Sequence, residues 1–261
     1  MYNVKLENNV RKFVDSKGNF AVLEYMRDAS VAPGNAESEY YMQRMGVHRR
    51  QVVCSLTGNN KVVIQAGAMQ WICGDVQATT GIKGAGDFLG KIVKGAVTKE
   101  SAIKPEYVGV GSLVLEPTYK YLLLEDVASW GSGLVVEDGM FLACDGTVHR
   151  SVVSRSSFSS AIAGGEGLFN LCLNGTGVAV LESNVPREEL IEIELQNDVL
   201  KIDGNMAVCW SSTLQFTVER STKTLLGSAT SGEGLVNVYR GSGKVLMSPV
   251  ANTSSLYMAT H

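Results

Sequence analysis

The amino-acid sequence predicts an all-β chain made of three copies of one glycine-punctuated unit, with one short helix inserted into the first copy. Three observations predict it. A Gly-x-Gly motif running into a hydrophobic stretch recurs at a spacing of 66 residues: Gly109-Val110-Gly111, Gly175-Thr176-Gly177 and Gly241-Ser242-Gly243. Upstream of each motif stands a glutamate signature, Lys99-Glu100-Ser101-Ala102, Gly165-Glu166-Gly167-Leu168 and Gly232-Glu233-Gly234-Leu235, with the first copy degenerate. Finally, short runs rich in β-branched residues (Lys61 to Ile64, Leu134 to Val136, Val178 to Leu181, Phe216 to Val218, Val245 to Met247) are separated by Gly, Asn, Asp and Ser clusters at turn-like spacing, which reads as many short strands and not as βαβ units.

The repeat divides the chain. Residues 1–46 form a lead-in packed on the first unit, 47–120 the first unit with its helical insertion, 121–187 the second unit, 188–251 the third, and 252–261 a tail. The glycines ahead of each hydrophobic run read as turns or bulges at strand starts, where positive φ or a close backbone approach is needed. An Asp-Gly strand also recurs, as Asp138-Gly139 leading to Cys144 and Asp203-Gly204 leading to Cys209, which makes the two cysteines equivalent. In the insertion, Phe88, Leu89, Ile92, Val93, Ala96 and Val97 share one helical face. That helix is too short to span a bilayer and is limited to surface or partner contact.

Composition bounds the function. Hydrophobic residues at 45% and charged residues at 19% describe a folding globular chain, and a net charge of -3 with a pI near 5.7 gives no general attraction to nucleic acid. The polar start, Met1 to Asn9, and the lack of any transmembrane run predict a cytoplasmic protein. The five cysteines, Cys54, Cys73, Cys144, Cys172 and Cys209, are odd in number and never spaced Cys-x-x-Cys, so they read as reduced, mostly buried thiols.

The residues open to chemistry are few. Gly84 to Lys91 looks like a phosphate loop, but Ala85 stands at its first glycine position and Ile92 where Ser or Thr would hold magnesium. Glu100, Glu166 and Glu233 recur once per unit, as a turn-stabilising residue would. His48, His149 and His261 neither recur nor pair, so no metal or other cofactor is expected. The Ser151 to Ser160 run with Arg150 and Arg155, and the His48-Arg49-Arg50 cluster, are anion or RNA candidates that read by default as a solvated loop and a solvated strand start.

The triple pattern of Gly-Glu-Gly-Leu, Gly-x-Gly and hydrophobic strand resembles the Aim-type mitochondrial-biogenesis family, over roughly residues 45 to 251. The resemblance implies a fold similar to the tryptophan RNA-binding attenuator protein (TRAP), a short double-stranded β-helix unit used three times per chain, and a homotrimeric ring. The expected structural motif residues are Glu100, Gly109, Gly111, Gly165, Glu166, Gly167, Gly175, Gly177, Gly232, Glu233, Gly234, Gly241 and Gly243. With no converging catalytic set, the reading is a non-enzymatic scaffold or binding protein with an unidentified protein or small-molecule partner. Its alternatives are a ligand- or RNA-binding ring and, least favoured, a cupin-type enzyme.

Overall fold

The computed structural model describes residues 3–79, 104–154, 156–157, 169–220 and 235–250. The chain is all-β. Its strands are β1 (Arg11–Lys17), β2 (Phe20–Tyr25), β3 (Arg50–Ile64), β4 (Met69–Thr79), β5 (Glu106–Leu115), β6 (Tyr121–Asp126), β7 (Leu134–Val136), β8 (Phe141–Asp145), β9 (His149–Ser154), β10 (Ser156–Ser157), β11 (Phe169–Asn174), β12 (Val178–Ser183), β13 (Ile191–Asp203), β14 (Ala207–Ser211), β15 (Gln215–Arg220) and β16 (Leu235–Met247). The inserted helix expected over Phe88 to Val97, the glutamate signatures and the tail all lie outside the described residues.

One α-helix is described, α1 (Ala36–Arg44), in the lead-in, where the sequence reading placed none. It follows a 3-10 turn at Pro33–Asn35 and carries Glu37 and Glu39 in its first turn and Arg44 in its last, a charge order that suits the helix dipole. Gly46, at φ +79, ends it. None of its residues is buried, so it lacks the apolar stripe by which a helix is read from sequence.

The strands form two compact units. The first takes residues 1–126, 141–148 and 176–183. Its strands run β1-β2-β3-β8-β12-β6, and β5 pairs with both β3 and β4. The sheet curls so that its two end strands meet: Lys17 of β1 donates through Nζ to the Leu124 carbonyl of β6 at 2.8 Å. Inside sit Phe20, Val52, Val62, Ile64, Leu113, Leu115 and Val180, all essentially buried. The second unit takes 127–140, 149–175 and 184–261, with strand order β10-β15-β16-β14-β7-β11-β9 and β13 on β16. Its core is centred on Trp210, Phe216 and Tyr239, whose ring centroids lie 5.1 to 5.4 Å apart. Residues 121–187 therefore supply strands to both units.

Bulges set the registers. Between β4 and β5 the pairing jumps from Met69 opposite Leu115 to Trp71 opposite Val114. Between β8 and β12 it jumps from Phe141 opposite Leu181 to Ala143 opposite Val180. Between β14 and β16 it jumps from Ala207 opposite Met247 to Cys209 opposite Leu246. Each bulge leaves one extra residue on the outer strand and increases the local twist that curls these sheets.

These registers correct the cysteine equivalence. Cys144 faces Ala179, whereas Cys209 faces Leu246, the position 66 residues beyond Val180, so the two thiols are one residue out of step. The cause is a turn. Gly139 is the third residue of the turn Glu137 to Met140, with φ +76, while Gly204, with φ +70, is the second residue of Asp203 to Met206. A glycine that moves one place within its turn misaligns everything counted from it.

Candidate functional site

The Gly-x-Gly motifs are corners at which one strand crosses close to its neighbour. In β5 and β16 the motif lies inside a continuous strand instead of at a strand start, and only Gly175 to Gly177 separates two strands, β11 and β12. The second glycine is fixed by space. A Cβ on Gly111 would stand 2.3 Å from the Cys73 carbonyl oxygen, one on Gly177 would be 2.9 Å from Asp145 Cβ, and one on Gly243 would be 2.8 Å from Ser211 Cβ. The first glycine supplies a backbone turn, at φ +126, +96 and +119 for Gly109, Gly175 and Gly241.

Side chains on the neighbouring strand secure these corners. Thr147 donates its hydroxyl to the Thr176 carbonyl and Thr213 to the Ser242 carbonyl, both at 2.7 Å. Asp145 Oδ2 accepts the Val178 N–H at 2.8 Å, and Ser211 Oγ accepts the Lys244 N–H at 3.0 Å. The other oxygen of the buried Asp145 accepts from Asn19 Nδ2 at 2.7 Å. Nearby, burial and then the Asp145 charge push the Cys54 thiol up, so it is an apolar filler and no nucleophile. The groups at these corners are committed to holding backbone.

The densest charged cluster lies where the lead-in meets β3. Arg50 Nε donates to Glu24 Oε2 at 2.7 Å, and its guanidinium lies over the Tyr121 ring, 4.2 Å from the centroid. His48 places Nδ1 2.7 Å from Glu24 Oε1 and Nε2 3.3 Å from the Gln43 carbonyl. Arg49 pairs with Asp28 at 2.7 Å and stacks over Tyr25. Tyr119 donates toward Asp28 and Glu39 at 3.3 and 3.0 Å, and burial together with the Glu39 bond leaves its hydroxyl pushed up to about 12. Beside them Tyr25 donates to Gln51, whose amide reaches Gln70 and the Leu115 carbonyl.

This geometry corrects the default reading of His48-Arg49-Arg50 as a solvated strand start. Both guanidiniums are matched to carboxylates, and Arg50 is buried, so the basic run staples the lead-in to β3. The sequence gave no sign of it, because Glu24 and Asp28 reach the arginines only through β2–β3 pairing and the loop beyond β2.

The structure places Gly109, Gly111, Gly175, Gly177, Gly241 and Gly243 at the corners, while Glu100, Gly165, Glu166, Gly167, Gly232, Glu233 and Gly234 lie outside the described residues. So do the loop at Gly84 to Lys91 and His261. Of the serine run, Ser151 to Ser154 belong to β9 and Ser156 and Ser157 pair with β15. His149 begins β9 opposite Asn174. Cys54, Cys144, Cys172 and Cys209 are buried, and Cys73 is half-buried. Among the described residues no group of three or more His, Cys, Asp or Glu side chains is placed to hold a metal ion, and no helix is long and apolar enough to cross a membrane.

Comparison with known proteins sets this architecture in context. The chain is 28% identical over 222 residues to an uncharacterized protein of Streptococcus pyogenes serotype M6, an alignment that spans 80% of this chain and 87% of that protein. The X-ray crystal structure of a Streptococcus pyogenes protein matches with a TM-score of 0.58 at 22% identity, over 92% of this chain and 94% of that one, which establishes a shared fold. The family model described as mitochondrial biogenesis AIM24 matches residues 43–250, a stretch that starts just before β3 and holds all three glycine corners. By that match the chain belongs to the AIM24 mitochondrial-biogenesis family.

Proposed function

We propose that this chain is a non-enzymatic scaffold or binding protein, built from three like, TRAP-like units and assembled as a homotrimeric ring. One observation carries the reading: strand registers recur at the 66-residue interval. The bulges opposite Leu115, Leu181 and Met247 are spaced by that interval, as are the threonine bonds to Thr176 and Ser242. In each copy an outer strand, a bulged strand and a central strand carrying the glycine corner pair in the same way: β3 and β4 on β5, and β13 and β14 on β16. The middle copy keeps the pattern in halves, with β6 and β8 on β12 and β7 and β9 on β11.

The groups most available for chemistry support a structural role, since Asp145, Thr147, Thr213 and the buried thiols are occupied by the repeat itself. Function then resides in what the assembly presents and holds. Native mass spectrometry of the intact protein tests this, because it reads subunit number and any retained small molecule together. The expected result is a species of three times the 28.0 kDa chain mass. A stable monomer at micromolar concentration overturns the ring.

A further inference from the structure

Neighbouring copies of the pattern are joined by one rule. Val62, Val63 and Ile64 of β3 face Asp145, Cys144 and Ala143 of β8. Leu134, Val135 and Val136 of β7 face Ser211, Trp210 and Cys209 of β14. The members of β14 lie 66 residues after those of β8, so both junctions have the same register. The flanking backbone bonds match as well. Gly146 N–H donates to Lys61 O and Gln65 N–H to Leu142 O, just as Ser212 N–H donates to Gly133 O and Glu137 N–H to Val208 O, all at 2.7 to 3.0 Å.

Each chain holds one unused strand of each kind. Val62, Leu134 and Leu200 occupy one position, being opposite Tyr107, Leu173 and Tyr239 of their central strands. Trp71, Ile72 and Cys73 of β4 face Val114, Leu113 and Ser112, the positions that correspond to those facing Ala143 and Cys144 in β8 and Cys209 and Trp210 in β14. Among the described residues β13 pairs only with β16, and β4 pairs only with β5. The β4 triplet is apolar, half-buried and free of proline, which natural sheets rarely leave on an unprotected edge.

We propose that β13 of one copy pairs antiparallel with β4 of a second copy of this chain, with Leu200 opposite Cys73, Lys201 opposite Ile72 and Ile202 opposite Trp71. Gly74 N–H then donates to Val199 O, and Asp203 N–H to Gln70 O. The occupant is another copy because the two edges complement each other in a register the chain already uses twice. Lys201 replaces the valine of the other junctions, Val63 and Val135, and can lay its aliphatic stem along the partner strand while its ammonium stays in water. Such head-to-tail contacts close into a ring when the rotation permits. The inference rests on the homo-oligomeric reading above and names the surface that would build it.

A disulfide tests the register. Gln65 N–H bonds across to β8, so by the alternation of antiparallel ladders Val62 and Asp145 form a narrow, non-hydrogen-bonded pair, and so would Leu200 and Cys73. Cα atoms in such a pair stand about 4.5 Å apart, within disulfide range. Full-length Leu200→Cys, oxidised mildly and run on a non-reducing gel, is expected to form reducible covalent dimers and trimers through native Cys73. Leu200→Cys in a Cys73→Ser background gives none, and Lys201→Cys, whose side chain points to the other face, gives none through Cys73. Lys201→Pro removes an N–H turned toward the open edge, and is expected to yield a folded monomer by circular dichroism and light scattering. A monomeric wild-type protein overturns both the ring and this pairing. An assembled Leu200→Cys protein that forms no cross-link, or a Lys201→Pro protein that still assembles, overturns the pairing and leaves the ring standing.

Discussion

Glu219 of β15 and Arg240 of β16 form a two-pronged ion pair, with Nη1 to Oε1 at 2.6 Å and Nη2 to Oε2 at 2.8 Å, and the Thr217 hydroxyl donates to Oε1 at 2.7 Å. The arginine bonds first, and then the threonine, hold the Glu219 carboxyl at about 2, below its ordinary 4.5. A carboxyl whose folded value is lowered binds protons more readily when unfolded. Its stabilising contribution is therefore complete above about 4.5 and fades as pH falls toward 2. Urea unfolding across this range should show wild type more stable than Glu219→Gln at pH 6 and the two converging near pH 2. The pair is about one-third exposed, so the gap will be small and will narrow in salt. Nothing in the sequence marks it, because pairing across a sheet joins residues 21 positions apart.

At the scale of elements, the glycine corner is the part most legible in sequence. Its second glycine is demanded by space at Gly111, where a methyl group would meet the Cys73 carbonyl at 2.3 Å. Gly111→Ala should cost about 2 kcal/mol or more by thermal or denaturant unfolding, whereas Gly34→Ala, with nothing within 4 Å of the added carbon, should change little. The corner could be found because a steric demand leaves the same residue at the same place. The turn glycines Gly139 and Gly204 misled the alignment by one residue because a turn tolerates glycine at more than one of its positions. Helix α1 and the Arg49 and Arg50 pairings were illegible for a third reason. The helix buries no face, and the charges find partners only after β2 lies on β3.

For the whole molecule, the all-β class was readable from turn spacing and β-branched runs, but the sharing of residues 121–187 between two compact units was not. That sharing arises from the long-range pairings β3 with β8 and β7 with β14, and local pattern carries no record of which distant edge a strand will find. An assembly that binds the folded chain and not the unfolded one shifts stability by mass action. Melting temperature should consequently rise with protein concentration over the micromolar range in wild type and lose that dependence in Lys201→Pro. A flat response in wild type would show that folding and association are uncoupled.

Trp71 on the half-buried edge of β4 has an optical consequence. The chain has three tryptophans; Trp130 and Trp210 are only 3% and 2% exposed, Trp130 beneath the Lys244 ammonium and Trp210 stacked on Phe216. Their indoles are sealed from solvent and emit from a fixed apolar surround. Trp71 is the one whose emission colour and accessibility to dissolved quenchers follow the state of the β4 edge. The chain thus carries its own fluorophore at the strand on which self-association would be seen, with two silent references in the second unit.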